Sequence, residues 1–231
     1  MHIPDGLITD PRVWIGADVA AAGVVGYAIR RESRRLRPEE VPLMGLMAAF
    51  VFAGQLLNVP IGVPGVSGHL LGAVLAAALL GPWRATVVMA VVITVQCLLY
   101  NDGGLTALGA NITNMGIAGA LVGYGLYRAG RAAIPGRAGV LIAAGVGAWF
   151  SVVLGAALVA GQLAVCSDIL GRVDLGRLFG LLVGLHVPIG LLEALITVGA
   201  LAVIMQSRPD LLGLPPEPAP EAEPVQEAIH G

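Results

Sequence analysis

The chain opens Met1-His2-Ile3-Pro4-Asp5-Gly6. A free α-amino nitrogen, the peptide nitrogen of His2 and the His2 imidazole stand in a row. They can close a five-membered and then a six-membered chelate ring around one ion. Three nitrogens in a plane suit a square-planar ion, which points to Ni(II), Cu(II) or low-spin Co(II). Any residue ahead of Met1 destroys this arrangement. The first eleven residues carry His2, Asp5, Asp10 and two prolines rather than a basic and then an apolar stretch, so no cleavable signal peptide is expected. Removal of the initiator Met is also not expected, because His is too large a second residue.

A fourth nitrogen is available at His69, in Val66-Ser67-Gly68-His69-Leu70. His is the commonest metal ligand, while the plainer role is a histidine that caps a helix or braces a tight loop. Gln96, Asp102, Asn111 and Asn114 are expected to hydrogen-bond the loops or imidazoles around the ion, as partners of metal ligands do. Each also has a structural alternative: Asn111 as a helix N-cap, Asp102 in an external turn. A carboxylate fits an all-nitrogen plane poorly, so Asp102 is the weakest direct ligand. Glu193 and His186 lie two turns apart on one helix face. An intramembrane carboxylate marks a site by default, but a neutral, hydrogen-bonded Glu193 that fixes helix packing is the preferred reading.

The elements that must position these groups follow from composition. The chain has 231 residues, 57% hydrophobic and 12% charged, against about 25% charged in a soluble domain. The membrane is therefore its solvent. The expected fold is all-α: a polytopic bundle of seven transmembrane helices over roughly 13–30, 41–59, 68–81, 84–100, 110–128, 138–163 and 178–206. The third span is too short to cross alone. The Pro/Gly-rich stretch before it, 58–68, is expected to dip into the protein and line a site, since broken backbone at membrane depth needs such cover. Ten of the thirteen basic residues, all arginines, fall on one side, including Arg30, Arg31, Arg34, Arg35 and Arg37. That side is cytoplasmic by the positive-inside rule, which puts the N-terminus outside and the C-terminus inside. Met1, His2, His69 and Asp102 then share the outer face.

Residues 1–207 read as the transmembrane metal-binding domain. Residues 208–231, rich in Pro and Glu, read as a disordered cytoplasmic tail, with His230 incidental. Gly119 with Gly123 and Gly180 with Gly184 have the spacing of close helix packing. Cys97 and Cys166 lack any metal-type spacing and read as small hydrophobes, with a disulfide left open. No basic patch beyond the juxtamembrane run points to nucleic acid.

The start Met-His-Ile-Pro-Asp-Gly, the Ser-Gly-His loop and Asp102-Gly103-Gly104-Leu105-Thr106-Ala107-Leu108-Gly109-Ala110-Asn111 together resemble the CbiM/NikM family. These are the substrate-binding membrane subunits of energy-coupling-factor cobalt and nickel importers. The likeness covers nearly the whole chain to about residue 206. It implies a four-nitrogen site from the Met1 amine, the His2 amide, the His2 side chain and a loop histidine, a position only His69 matches. It implies as partners a transmembrane coupling subunit, two cytoplasmic ATPase subunits and often a small accessory membrane protein, with this chain a multi-pass protein of the cell inner or plasma membrane.

The chain is then a transporter subunit rather than an enzyme, with no organic cofactor. It has no lysine and so no lysine-bearing phosphate loop. Cobalt-type members have Met-Glu-Gly after Met-His-Ile, a Cys-Ser-His-Pro loop and a His before the Gly-Gly pair. This chain departs at all three, and two of the departures look nickel-type. Ni(II) is favoured, and a cobalt importer subunit serving cobalamin biosynthesis is the alternative. Zn(II) prefers tetrahedral sites. A more remote reading is a rhomboid-like intramembrane protease, in which Ser67 of Gly-Val-Ser-Gly pairs with His186.

Overall fold

The computed structural model describes residues 1–56, 70–166 and 174–215, with the backbone of 59–60 and 67–68. Seven helical rods make up the bundle among these residues. α1 is Pro11–Glu32, α2 Val41–Gln55, α3 Ala73–Leu80 and α4 Pro82–Tyr100. α5 runs through Leu108–Asn111, then Ile112–Gly123 wound as a π-helix, then Tyr124–Ala133. α6 is Gly136–Val165 and α7 is Leu175–Ser207. Two short strands, β1 at Val59–Pro60 and β2 at Ser67–Gly68, pair antiparallel with Val59 opposite Gly68. The bundle is otherwise helical.

Local chemistry sets the ends of these rods. Asp10 caps α1 by accepting from Arg12 N at 2.8 Å, with Pro11 at the first helical position, where its missing N–H costs nothing. Asp174 caps α7 in the same way through Arg177 N. α3 and α4 are separated only by Gly81, at φ +81°, with Pro82 opening α4. α4 ends on Asn101 at φ 53°, the left-handed conformation that Asn tolerates.

Among the described residues four helices, α1, α4, α6 and α7, are long and apolar enough to cross a membrane. α6 is the central one, with 56% of its apolar window buried, and α1 is peripheral with 11%. The outer surface is apolar too: Leu99 is 75% exposed and Leu195 70%, as a lipid-facing surface requires. α3 has eight residues, too few to span, in keeping with the short third segment.

The two glycine pairs behave differently despite equal spacing. A Cβ at Gly119 would fall 2.6 Å from Ala73 Cβ, and one at Gly123 2.6 Å from Val74 Cγ2, so α5 closes directly on α3. Gly180 and Gly184 meet nothing within 4 Å. Both cysteines are buried and free, which removes the disulfide.

The arginine-rich end is tied together by Arg84, which binds Glu32 and Glu40 at 2.9 Å each. It lies opposite the N-terminal residues, because α1 joins its Glu32 end to the start of α4 and Asp18, in its N-terminal half, to the start of α5. The segment just past α7 is not free chain, contrary to a tail beginning at 208. Pro209–Leu212 forms a 3₁₀ turn, Leu212 is 2% exposed, and Arg131 Nη1 donates to its carbonyl at 3.1 Å. The rest of the expected tail, 216–231, lies outside the described residues.

Candidate metal centre

The first six residues are mounted on the 102–111 segment by backbone geometry that the two sequence motifs supply. Asn111 brackets Ile3: its Oδ1 accepts from Ile3 N at 2.8 Å and its Nδ2 donates to Ile3 O at 3.1 Å. Gly104 N donates to the same Ile3 carbonyl at 2.8 Å. Asp5 Oδ1 accepts from Thr106 N at 2.8 Å and from Thr106 Oγ1 at 2.7 Å. Those bonds, the hydroxyl's first, hold the Asp5 carboxyl below the usual carboxylate range. Ile3 and Ile8 are buried in a small apolar cluster with Ala107, Ala110, Val159, Leu163 and Cys166. The Ile-Pro-Asp-Gly stretch is thus a plug, and the Gly-Gly-Leu-Thr…Asn stretch its socket.

Two glycines leave the room this plug needs. A Cβ at Gly104 would collide with Asp5 N and lie 2.7 Å from Asp5 Cα. A Cβ at Gly155, on α6, would lie 2.9 Å from Met1 Cε and 3.0 Å from Asn114 O. Met1 therefore sits in a slot between α5 and α6, with 8% exposure. Burial pushes its amine down from 8.0 to about 5, with nearby Asp102 opposing the shift. At pH 7 the amine is then neutral. A buried charge without compensation is costly, and this burial favours the unprotonated amine.

His2 follows directly, its side chain 4% exposed, with Nδ1 3.2 Å from Asp102 Oδ1. The hydrogen bond from His2 holds the Asp102 carboxyl below its usual range. Nδ1 is the nitrogen through which a six-membered ring from the His2 amide closes. Asp102 therefore stands on the metal-facing side of the imidazole and not behind it. It would have to share or yield that position when an ion enters.

The other expected supporting residues divide. Asn111 holds the N-terminal segment from inside the first turn of α5 rather than capping it, since the N-cap is Ala107. Asn114 does not reach a loop or imidazole among the described residues. Its Nδ2 donates to Gln162 Oε1 at 2.8 Å and Gln162 Nε2 returns to Asn114 Oδ1 at 3.0 Å, a reciprocal amide pair between α5 and α6. Gln96 is fully buried, and neither atom of its amide is hydrogen-bonded among the described residues. His186 is buried with Nδ1 2.7 Å from its own helix's Leu182 carbonyl. His69 and the 61–66 loop lie outside the described residues. Among the described residues no three His, Cys, Asp or Glu side chains converge to hold a metal.

The Asn114–Gln162 pair gives a direct test of its structural role. Asn114→Leu leaves the Gln162 amide unpaired and is expected to cost about 1–3 kcal/mol. The double variant Asn114→Leu/Gln162→Leu is expected to recover most of that in thermal melts, because removing both partners of a buried bond is far cheaper than removing one.

Sequence reading missed Ile3, Asp5 and Thr106 as the mount, Gly155 as the slot, and Asp18. Asp18 accepts from Gly109 N at 2.6 Å and so pins the start of α5 to α1. A carboxylate within an apolar span was the available signal for Asp18. Nothing local marks Gly155.

Residues 2–211 match the family model for the cobalt uptake substrate-specific transmembrane region, CbiM. The chain belongs to the CbiM family. It is 38% identical to a putative metal transport protein of Haloquadratum walsbyi over 92% of this chain and 93% of that one. It is 40% identical to a putative fused nickel transport protein, NikMN, of Archaeoglobus fulgidus over 92% of this chain and 68% of that one. A cobalt transport protein CbiM of Sorangium cellulosum is 35% identical over 92% and 94%. The fold is similar to crystal structures of a transition metal transporter, with TM-score 0.81, and of a truncated one, with TM-score 0.82. Both are 28% identical; the first covers 92% of this chain and 97% of that one, the second 90% and 99%. This CbiM-family chain is a multi-pass membrane protein and a component of cobalt or nickel transport. That membership removes the protease reading of Ser67 and His186.

Proposed function

We propose that this protein is the subunit that captures Ni(II) from outside the cell for ATP-driven import. The ion is held in a plane of four nitrogens: the Met1 amine, the His2 amide, His2 Nδ1 and the His69 imidazole. The observation that carries this reading is the buried amino terminus, held beside a buried His2 and uncharged at neutral pH. The arginine-rich end is cytoplasmic and the N-terminal end external. On the family resemblance, transport draws on a membrane coupling subunit and two ATPase subunits, and with no lysine this chain carries no lysine-bearing phosphate loop of its own. Nickel is preferred over cobalt on Pro4-Asp5-Gly6 and Asp102, and on the identity to a relative named for nickel transport. Cobalt import is the second reading, supported by the relative named for cobalt.

The test is a nickel titration of the full chain with its authentic N-terminus, followed by visible absorption. His69→Ala is expected to lose the square-planar band and weaken binding. In the unmodified chain, affinity is expected to fall as pH drops through about 5, by about tenfold per unit for the amine's proton. The sign follows from the direction of the shift. Above that pH the amine has no proton to lose; below it, metal and proton compete. A full band in His69→Ala, or an affinity flat from about pH 6 to about pH 4, would overturn the site.

A further inference from the structure

α1 is the least buried of the four long helices, with Val19, Tyr27 and Ile29 exposed. Its 22 residues rise about 33 Å, against about 30 Å of hydrocarbon in a bilayer. With its other end at the opposite surface, its Glu32 end stands at the level of the lipid headgroups. Two aromatic rings mark that level, as such rings do at membrane interfaces. Tyr27 packs edge-on against Trp83 with centroids 5.0 Å apart, and the Arg31 guanidinium lies 5.5 Å from the centre of the Trp83 ring. The arginines gathered here divide into two kinds. Arg84 is taken by Glu32 and Glu40, Arg31 by Glu32 and the Trp83 ring, and Arg37 by Glu39 and Glu40. Those three acids are the acids of residues 30–40. Arg30, Arg34 and Arg35 are exposed and make no ion pair among the described residues. The turn that carries them is ordered: Ser33 N donates to Ile29 O at 2.8 Å, and Arg35 N and Leu36 N donate to Glu32 O at 2.8 and 2.7 Å.

We propose that Arg30, Arg34 and Arg35 form a binding site for the phosphate of an anionic membrane lipid, whose acyl chains lie along the exposed face of α1. A guanidinium is planar, weakly hydrated and forked to match phosphate oxygens. Three of them stand on a fixed turn at headgroup level, with no carboxylate left nearby to quench them. Basic groups beside a membrane attract anionic lipids in this way. The face below them fits the rest of such a molecule. Arg30 follows Tyr27 by three residues and Val19 by eleven, so all three share one side of the helix. That side is apolar and exposed from Val19 to Tyr27. An acidic protein surface matches the charges alone, whereas a lipid matches the charges and the apolar face beneath them. The lipid braces the long helix that the bundle itself holds least.

Trp83 is a built-in reporter for this site. The chain has three tryptophans, and Trp14→Phe with Trp149→Phe leaves Trp83 alone. The full-length double variant is reconstituted in phosphatidylcholine vesicles that carry rising fractions of a phosphatidylglycerol brominated on its acyl chains. A parallel series carries the matching brominated phosphatidylcholine, and quenching of Trp83 fluorescence is read in both. Brominated phosphatidylglycerol is expected to quench at a mole fraction at least about fivefold lower, the factor for one arginine beside an anionic membrane surface. Adding Arg30→Gln, Arg34→Gln and Arg35→Gln together should make the two curves coincide. Adding Arg37→Gln instead should leave them apart, because that charge is already held by Glu39 and Glu40. Coincident curves before any arginine is changed overturn the lipid site and leave these arginines to an acidic protein surface. A preference that survives the triple arginine change places the lipid elsewhere and overturns the assignment. Equal losses from Arg37→Gln and from the triple change would show that summed charge and not a site is at work. If sodium phosphate at constant ionic strength abolishes the preference, the arginines take free phosphate and the lipid is not their occupant.

Discussion

Two alanines placed ahead of Met1 are expected to leave the bundle folded and to weaken nickel binding by more than about a hundredfold, beyond the range for losing a supporting partner. The amine would move about 7 Å along the chain and out of reach of its ring. Met1 is 8% exposed in its slot at Gly155, so the added residues have no room inside without pulling residues 1–3 away. The helices should hold, because Met1 is one of many residues in the core it shares with Leu75, Met89, Ile93 and Leu201, and the rest stay in place. A melt within a few degrees of the unmodified chain, with nickel binding lost in a calorimetric titration, is the expected pair of results. The number of alanines matters. A single one would make His the third residue, and an amine, two amides and an imidazole would then form a four-nitrogen plane of their own. That variant is expected to hold nickel but to become indifferent to His69→Ala. Tight binding in the two-alanine variant would show that the terminal amine is not a ligand.

The helices were legible in the sequence and the site only in outline, for different reasons. Hydropathy and punctuation by Pro, Gly and Arg are local signals. They located α3 near 68–81 and found it too short, and the structure gives Ala73–Leu80. α7 starts a few residues earlier than hydropathy alone suggests, because the cap at Asp174 and not apolarity sets its start. Partnerships across the bundle have no such signal. Asn114 and Gln162 are 48 residues apart, and neither identity announces the other. Gly119 and Gly180 stand in the same four-residue spacing, yet only the first pair touches a neighbouring helix, since spacing does not say which face meets what. The π-helical winding of Ile112–Gly123 has no sequence signature in this chain; π-windings recur at functional sites, and here one runs past the Met1 slot. Asp102 was legible as a group near the imidazole. Which nitrogen it meets depends on how Gly103, at φ +96°, turns the loop.

Gly104→Ala is the second large effect, and it differs in kind from the N-terminal extension. The new Cβ would collide with Asp5 N and lie 2.6 Å from Asp5 Oδ1 and 2.7 Å from Asp5 Cα. Backbone cannot swing aside as a side-chain tip can, so relief requires residues 3–5 to lift. Lifting breaks the bond from Gly104 N to Ile3 O and loosens the bracket at Asn111. The chelate rings of Met1 and His2 are local in sequence and survive this. What is lost is their fixed place in the bundle. Nickel affinity is expected to fall by about ten- to a hundredfold, and the visible band to come to resemble that of His69→Ala. The two-alanine extension should give no such band. Gly155→Ala supplies the scale. Its Cβ would meet Met1 Cε, the free end of a flexible side chain, at 2.9 Å, which yields at low cost, and one backbone atom, Asn114 O, at 3.0 Å, a milder contact than the collision with Asp5 N at Gly104. The order of loss should therefore be Gly104→Ala well above Gly155→Ala. Equal losses, or a Gly104→Ala protein that binds nickel normally, would mean that the plug and socket do not set the geometry of the site.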